Sequence, residues 1–316
     1  MAFTSGYVVS CANTSEDYVN TSGELVVVNP EDGSIVTTIE LGGQPDSIAV
    51  SEDNNYAVIA IENERDEDLG DGEIPQAPAG FVVIVDTTDV DPNNWSISTV
   101  DVTGLDGVYE PSDPEPEFVA INSDNVAVVT MQENNAIVLI DLPTGTVLNS
   151  FSAGTVDLYN IDVDEEDHIT FESVLTAVPR EPDGVVWIGT QYFATADEGD
   201  MLGGSRGFTI FNVQGEVVYT SGSDMDHIAA KYGHYPENRS GNKGNEPENI
   251  VYGVFDGEEL LFVNSERANL VFVYDVRDVY APKFLQALPA GVGPEVSFIG
   301  VLVRESIFLT PIKFSD

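Results

Sequence analysis

The chain predicts an all-β fold, a β-propeller of four-stranded antiparallel blades. Three observations carry that prediction. Short β-branched or aromatic runs are bounded by Asp, Asn, Gly and Pro, the runs recur in groups of four, and a proline–carboxylate pair opens group after group. The pairs are Pro45-Asp46, Pro116-Glu117, Pro182-Asp183, Pro247-Glu248 and Pro294-Glu295. After the first four, a second carboxylate closes the next strand pattern, at Glu62, Glu133, Glu198 and Glu266, which lie 17, 17, 16 and 19 residues past the proline. Self-similarity on this scale marks a repeat architecture in which each unit buries its face against a neighbour. A β-sandwich is the other all-β option, and it gives no reason for recurrence in fours.

The elements follow in order. Strands around Tyr7, Leu25 and Ile35 form an opening group of three. The second group reads 46–51, a turn at 52–55, then 56–61, 81–86 and 97–102. The third reads 118–121, 126–129, 136–140 and 147–151, and the fifth reads 250–254, 260–263, 270–274 and 284–288. Beyond them, 296–303 and 306–309 supply two more strands. About five complete or near-complete blades and a partial one are therefore expected, in a single domain over 1–316. Three strands at one end and two at the other close a propeller imperfectly, so the expectation is a fragment of a longer propeller, truncated at both ends. The stiff acidic stretch 109–117 reads as a solvated connector. Residues 223–233 read as the one helix, with Ser223 capping alongside Asp226 and Gly233 stopping it.

Charge narrows the function classes. Against 55 acidic residues stand 11 basic ones, a net charge of −44. Such a chain repels nucleic acid and anionic lipid and offers no basic groove for a phosphate backbone. Its acidity fits a saline or marine (halophilic) habitat, multivalent cation binding, or both, because crowded carboxylates are costly unless a cation neutralises them. Cys11 is the sole cysteine, so an intramolecular disulfide and a cysteine metal cluster are excluded. No apolar run reaches membrane-spanning length, and residues 1–6 have neither the basic nor the apolar part of an export signal.

In an antiparallel pair, the start of one strand and the end of the next share one edge of the sheet. The Pro–acid carboxylate starts a blade's first strand and the second carboxylate ends its second strand, so both are expected on one rim. The resulting set is Asp46, Glu62, Glu117, Glu133, Asp183, Glu198, Glu248 and Glu266, with Asp200 added from the glycine-relaxed corner Asp197-Glu198-Gly199-Asp200. Oxygen-only ligands suit Ca²⁺ better than zinc or copper. Two other readings of the same acids stay open: turn caps on backbone N–H groups, and direct acid–base catalysis.

Basic residues are crowded rather than spread. Arg65 is the only one before Arg180, whereas the next hundred positions hold Arg206, Arg239, Lys243 and others, with His234 among them. Arg206, His234, Arg239 and Lys243 are the candidates for holding an anionic small molecule or surface polymer beside a metal. Local pairing of Arg239 and Lys243 with acidic neighbours is the competing reading. The glycines at 203 and 204 do not match a phosphate-cradling loop, so no nucleotide or organic cofactor is expected. No Gly-x-Ser-x-Gly turn or triad stands out, and the catalytic residues are unknown from sequence.

Six segments carry a resemblance. They are Gly43-Gln44-Pro45-Asp46; 116–120, Pro-Glu-Phe-Val-Ala; 131–136, Met-Gln-Glu-Asn-Asn-Ala; 195–200, Thr-Ala-Asp-Glu-Gly-Asp; 239–248, Arg-Ser-Gly-Asn-Lys-Gly-Asn-Glu-Pro-Glu; and Ser265-Glu266-Arg267. In order and wording the chain resembles the choice-of-anchor I family of surface β-propellers, which is similar to mesenchyme-specific cell-surface glycoproteins. The resemblance implies an exported or anchored protein, so an extracytoplasmic location is expected from it. Taken with the carboxylate rim, it leads to two functions, a Ca²⁺-binding adhesion module or a metal-dependent phosphoric ester hydrolase of the alkaline phosphatase or phytase-like kind, with a purely structural propeller of halophilic acidity as the third reading. The chain departs from the family after Pro-Glu, where Phe118, Asn249 and Val296 replace the usual glycine. It departs again after Glu295, where Lys313 stands in place of a fifth rim carboxylate.

Overall fold

Central strands that are apolar at every position need protein on both faces, and that requirement organises the fold. The computed structural model describes residues 1–294 and the backbone of 300–302 and 306–308. Two compact units divide the chain, Met1–Ser152 and Ala153–Asp316.

The first unit holds three four-stranded antiparallel sheets, each with its strands in chain order. They comprise β1 (Ala2–Thr4), β2 (Tyr7–Asn13), β3 (Gly23–Val28) and β4 (Ile35–Glu40); then β5 (Pro45–Val50), β6 (Tyr56–Ile61), β7 (Phe81–Asp86) and β8 (Ser96–Val100); then β9 (Pro116–Ile121), β10 (Val126–Met131), β11 (Ala136–Asp141) and β12 (Thr146–Ser152). Strand β6 shows how they pack. Ile59 and Ile61 join Val9, Leu25 and Val27 of the first sheet, while Val58 joins Val129 and Val138 of the third. The pleat alternates side chains between the two faces, so one strand serves two cores. The outermost strands are the exposed ones, and the Ser-rich β8 is open at four of five positions.

The second unit begins with a two-stranded hairpin, β13 (Thr155–Ile161) and β14 (Ser173–Pro179). Two more four-stranded sheets follow: β15 (Val185–Ile188), β16 (Tyr192–Asp197), β17 (Gly207–Asn212) and β18 (Val217–Thr220); then β19 (Pro247–Phe255), β20 (Glu258–Ser265), β21 (Leu270–Asp275) and β22 (Lys283–Pro289). Helix α1 (Asp224–Tyr232) lies between them in sequence, and its Met225 and Ala229 enter a shared core with Phe208, Ile210, Leu261 and Phe272. The backbone pair β23 (Gly300–Leu302) and β24 (Ser306–Phe308) closes the described chain.

Among the described residues the fold is thus all-β, with five sequentially ordered four-stranded antiparallel sheets of the propeller-blade type. Several expectations need correction. The first group has four strands, because Ala2–Thr4 pairs with β2; three residues leave too little pattern to read. The hairpin β13–β14 was not anticipated. The connector 109–117 is solvated only in its first half, since Asp113 and Glu115 are buried. Helix α1 stops at Gly233 in the left-handed conformation, as expected, but Ser223 makes no side-chain cap. Its hydroxyl donates to the Tyr159 carbonyl instead, and Asp226 is drawn inward by Asn245 and Arg206. Glu295, most of 296–303, and Lys313 lie outside the described residues.

Candidate cation site

The proline–acid pairs sit where the strand register turns irregular. Pro45 lies opposite Ile61 but Ile48 opposite Ile59, Pro247 opposite Ser265 but Ile250 opposite Val263, and Pro116 opposite Met131 but Val119 opposite Val129. Each places an extra residue on the strand that carries the acid. Proline donates no ladder hydrogen bond, so a bulge is where a strand tolerates it, and the bulge re-aims the acid that follows. In the fourth sheet Pro182-Asp183 precedes β15, and the Asp183 N–H donates to the Ala196 carbonyl at 3.0 Å. The second acids stand just past β6, β10, β16 and β20, on the same sheet edge.

In the second unit this edge gathers carboxylates from two neighbouring sheets. Asp183, Glu198 and Glu248 each offer an oxygen within 4.8 Å of the others, and Glu198, Glu246 and Glu266 form a second such group. Their surroundings differ. Glu246 is fully buried between Arg239, at 2.6 Å, and Arg267, at 3.1 Å, and Arg267 also reaches Glu266 at 3.0 Å. Two guanidinium groups already pair with two of its three carboxylates. Lys243 reaches toward the first group: its Nζ donates to the Gly199 carbonyl at 2.6 Å and approaches Glu198 Oε1 at 3.3 Å. Burial lowers the Lys243 pKa, but Glu198, Glu246 and Asp200 outweigh it and hold the ammonium above its usual range.

Beneath Glu198 the loop is tied down by buried acids. Glu181 accepts from the N–H groups of Asp200 (2.7 Å), Leu202 (2.7 Å) and Gly203 (3.0 Å). Burial still pushes its carboxyl up. Gly204 sits at φ +118°, and a Cβ there would fall 2.2 Å from the Glu198 carbonyl, so only glycine lets the loop close on itself. Asp197, also buried, accepts from Thr195 at 2.6 Å and Ser205 at 2.8 Å, with Arg180 at 3.9 Å.

The first unit builds the same edge differently. Around Arg65 converge Glu133, at 2.9 Å, and Glu115, at 3.7 Å. Glu62 is buried and held well above the usual carboxylate range by burial, then by Asp46, Glu133, Glu64 and Glu115. Asp46 keeps accessible surface, yet the density of protein around it, with Glu64, pushes its carboxyl up to about 7. Glu115 is 1% exposed and rises to about 9, first through burial and then through Glu133. With both acids ionised, neither Glu115 oxygen has a hydrogen-bond donor. Burial and Glu133 both favour the protonated form of Glu115, whose O–H then faces Glu133 as a donor.

Glu115, Glu181 and Glu246 all stand immediately before the proline, at the position of Gln44 in the first copy. The proline–acid pair alone does not mark this residue; its signal in the sequence is a recurring Gln/Glu-Pro-Asp/Glu triplet. A paired Asn was also missed. Asn63 accepts from the Gln44 N–H and Asn134 from the Glu115 N–H, both at 2.8 Å, and their amides donate to the carbonyls of Ala79 and Asp113.

The anion-binding candidates are already engaged. Arg206 is 1% exposed and donates to the carbonyls of Asp162 (2.9 Å) and Ser240 (2.8 Å), with Asp226 at 3.4 Å. Arg239 belongs to Glu246 and Lys243 to Glu198. His234, half-buried, has Nδ1 2.9 Å from the Ala268 carbonyl. Asp200 falls in neither carboxylate group, and Glu117 is half-buried at the start of β9.

The choice-of-anchor I domain model matches residues 2–203 and 201–279. The chain belongs to this family. All six segments that carry the resemblance to the choice-of-anchor I family lie within the matched residues. None of the curated proteins matches the chain. Among solved structures, this choice-of-anchor I chain is similar to Chaetomium thermophilum Sqt1 bound to the N-terminus of ribosomal protein L10, at 12% identity and TM-score 0.52, covering 88% of this chain and 60% of that one. It is also similar to a functionally unknown protein from Desulfotomaculum acetoxidans, at 10% identity and TM-score 0.51, covering 88% and 66%. A third is a protein from Lactobacillus plantarum, at 15% identity and TM-score 0.50, covering 88% and 68%. At these identities the likeness concerns fold alone. The chain spans about two thirds of the length of these structures or less.

Proposed function

We propose that this chain is a surface-associated binding module that takes one divalent cation, Ca²⁺, at Asp183, Glu198 and Glu248. The observation that carries the reading is the convergence of those three carboxylates within 4.8 Å from two neighbouring sheets. Hard oxygen ligands on loops and bulges suit Ca²⁺, which accepts irregular geometry and a high coordination number. In the adjoining group, Glu246 and Glu266 are already paired with Arg239 and Arg267, which makes it the weaker candidate for an ion. A choice-of-anchor domain implies a surface or extracellular role, and among the described residues no helix is long and apolar enough to cross a membrane. A phosphoesterase would need a cation free to meet a phosphoryl group, and Arg206, Arg239 and Lys243 are each committed to protein acceptors. No observation favours that second reading.

Calorimetric titration with Ca²⁺ tests the proposal. One ion per chain is expected, weakened about tenfold or more in Glu248→Gln, because each carboxylate ligand contributes charge as well as an oxygen. Binding that is diffuse and unchanged in that variant refutes it.

A further inference from the structure

On the sheet edge away from the carboxylates, the second unit opens a groove of about 540 Å³ lined by Tyr192, Tyr252, Glu259, Arg277, Asp278 and Tyr280 among others. Tyr192 and Tyr280 make a corner. Their rings are 6.2 Å apart and inclined at 77°, and their hydroxyls meet at 3.1 Å. Tyr280 is 65% exposed, so a large ring is held in the open by a hydroxyl contact rather than folded into the core. Tyr252 donates its hydroxyl to Glu259 at 3.0 Å, which fixes a third ring on the lining.

The charge of the groove is negative. Arg277 is balanced twice over, by Glu258 at 2.8 Å and by Asp275, whose Oδ1 accepts from its Nε at 2.9 Å. Glu259 and Asp278 are left as the excess. The Tyr280 hydroxyl is held above its usual range, first by Tyr192 and also by Glu216 and Asp278. Perpendicular ring faces carry negative quadrupole potential, and carboxylates beside them reinforce it; this combination attracts a weakly hydrated positive charge with apolar substituents. An inorganic ion gains less there, since the ring faces cannot replace its water. Anionic ligands are repelled by a chain of net charge −44.

We propose that this groove binds an organic ammonium cation, a quaternary or alkylated amine, against the Tyr192–Tyr280 corner and Tyr252, with Glu259 and Asp278 supplying the counter-charge. It is a site separate from the carboxylate group of the same unit. The test titrates choline into the full chain in about 1 M NaCl, where the screening length shrinks to about 3 Å and non-specific attraction to the acidic surface is lost. Saturable single-site binding is expected, weakened about tenfold in Tyr280→Ala and in Tyr252→Ala, each removing one cation–π partner. Tyr280 is exposed enough that its loss leaves the melting temperature in place, which separates lost binding from lost structure. A titration that does not saturate, or one equal in wild type and Tyr280→Ala, overturns the proposal. So does saturable binding of cellohexaose in place of choline, which would make the tyrosines a sugar platform. Calcium uptake measured on the same samples reports the carboxylate site independently.

Discussion

Replacing Glu115 by Gln should flatten the pH dependence of the first unit's stability. Glu115 is 1% exposed, its carboxyl rises from 4.5 to about 9, and its neighbours are Glu133 and a single guanidinium from Arg65. A carboxyl whose folded pKa is raised gives stability that is fully present below about 4.5 and is lost as pH climbs toward 9. Across that window the folded state holds a proton the unfolded state has released. One proton corresponds to a slope of about 1.4 kcal/mol per pH unit, so between pH 6 and 8 the wild type should lose about 2–3 kcal/mol that Glu115→Gln keeps. Glutamine preserves the donor toward Glu133 and needs no proton, and Gln44 already occupies the same place in the first copy of the repeat. Urea unfolding followed by tryptophan fluorescence measures the slope. A Trp187→Phe background leaves Trp95, in the first unit, as the sole reporter. Parallel stability profiles for the two proteins between pH 6 and 8 would refute the protonated Glu115.

Arg206→Met should cost about 3–5 kcal/mol, because it strands the buried Asp226 charge, and Asp226→Asn added to it should restore part of the loss; thermal unfolding by circular dichroism reads both. Asn134→Ala removes a donor pair and an acceptor that hold Tyr109, Asp113 and Glu115, and should lower the urea midpoint by the equivalent of about 2–4 kcal/mol. Lys243→Gln takes a positive charge off Glu198 and should tighten Ca²⁺ about tenfold in calorimetry; weaker binding would show that the ammonium supports the site rather than competing for it.

Strand pattern and turn residues were legible because they are local: period-two burial and chain-breaking Pro, Asn and Gly act within a few residues. Hence the third and fifth groups, each with four strands, fall where the apolar runs place them. The pairing of a Pro–acid with a second acid on one edge was equally legible, since the start of one antiparallel strand and the end of the next share an edge whatever the local register. Other elements were not. In the hairpin β13–β14, β13 alternates at Val156 and Leu158, but β14 has four consecutive exposed positions, so no second alternating run announces a partner strand.

Which acids stay charged was settled only by the tertiary structure. Glu115, Glu181 and Glu246 occupy the same place in three copies of one motif, yet one is pushed toward its protonated form by burial and Glu133, one accepts three backbone N–H groups and one lies between two arginines. The sequence by itself determined the all-β repeat and the edge that collects carboxylates. It could not determine which carboxylates are compensated, because the compensating groups come from residues such as Arg65, Arg239 and Lys243. These reach their partners across folded space, and burial alone makes their absence costly.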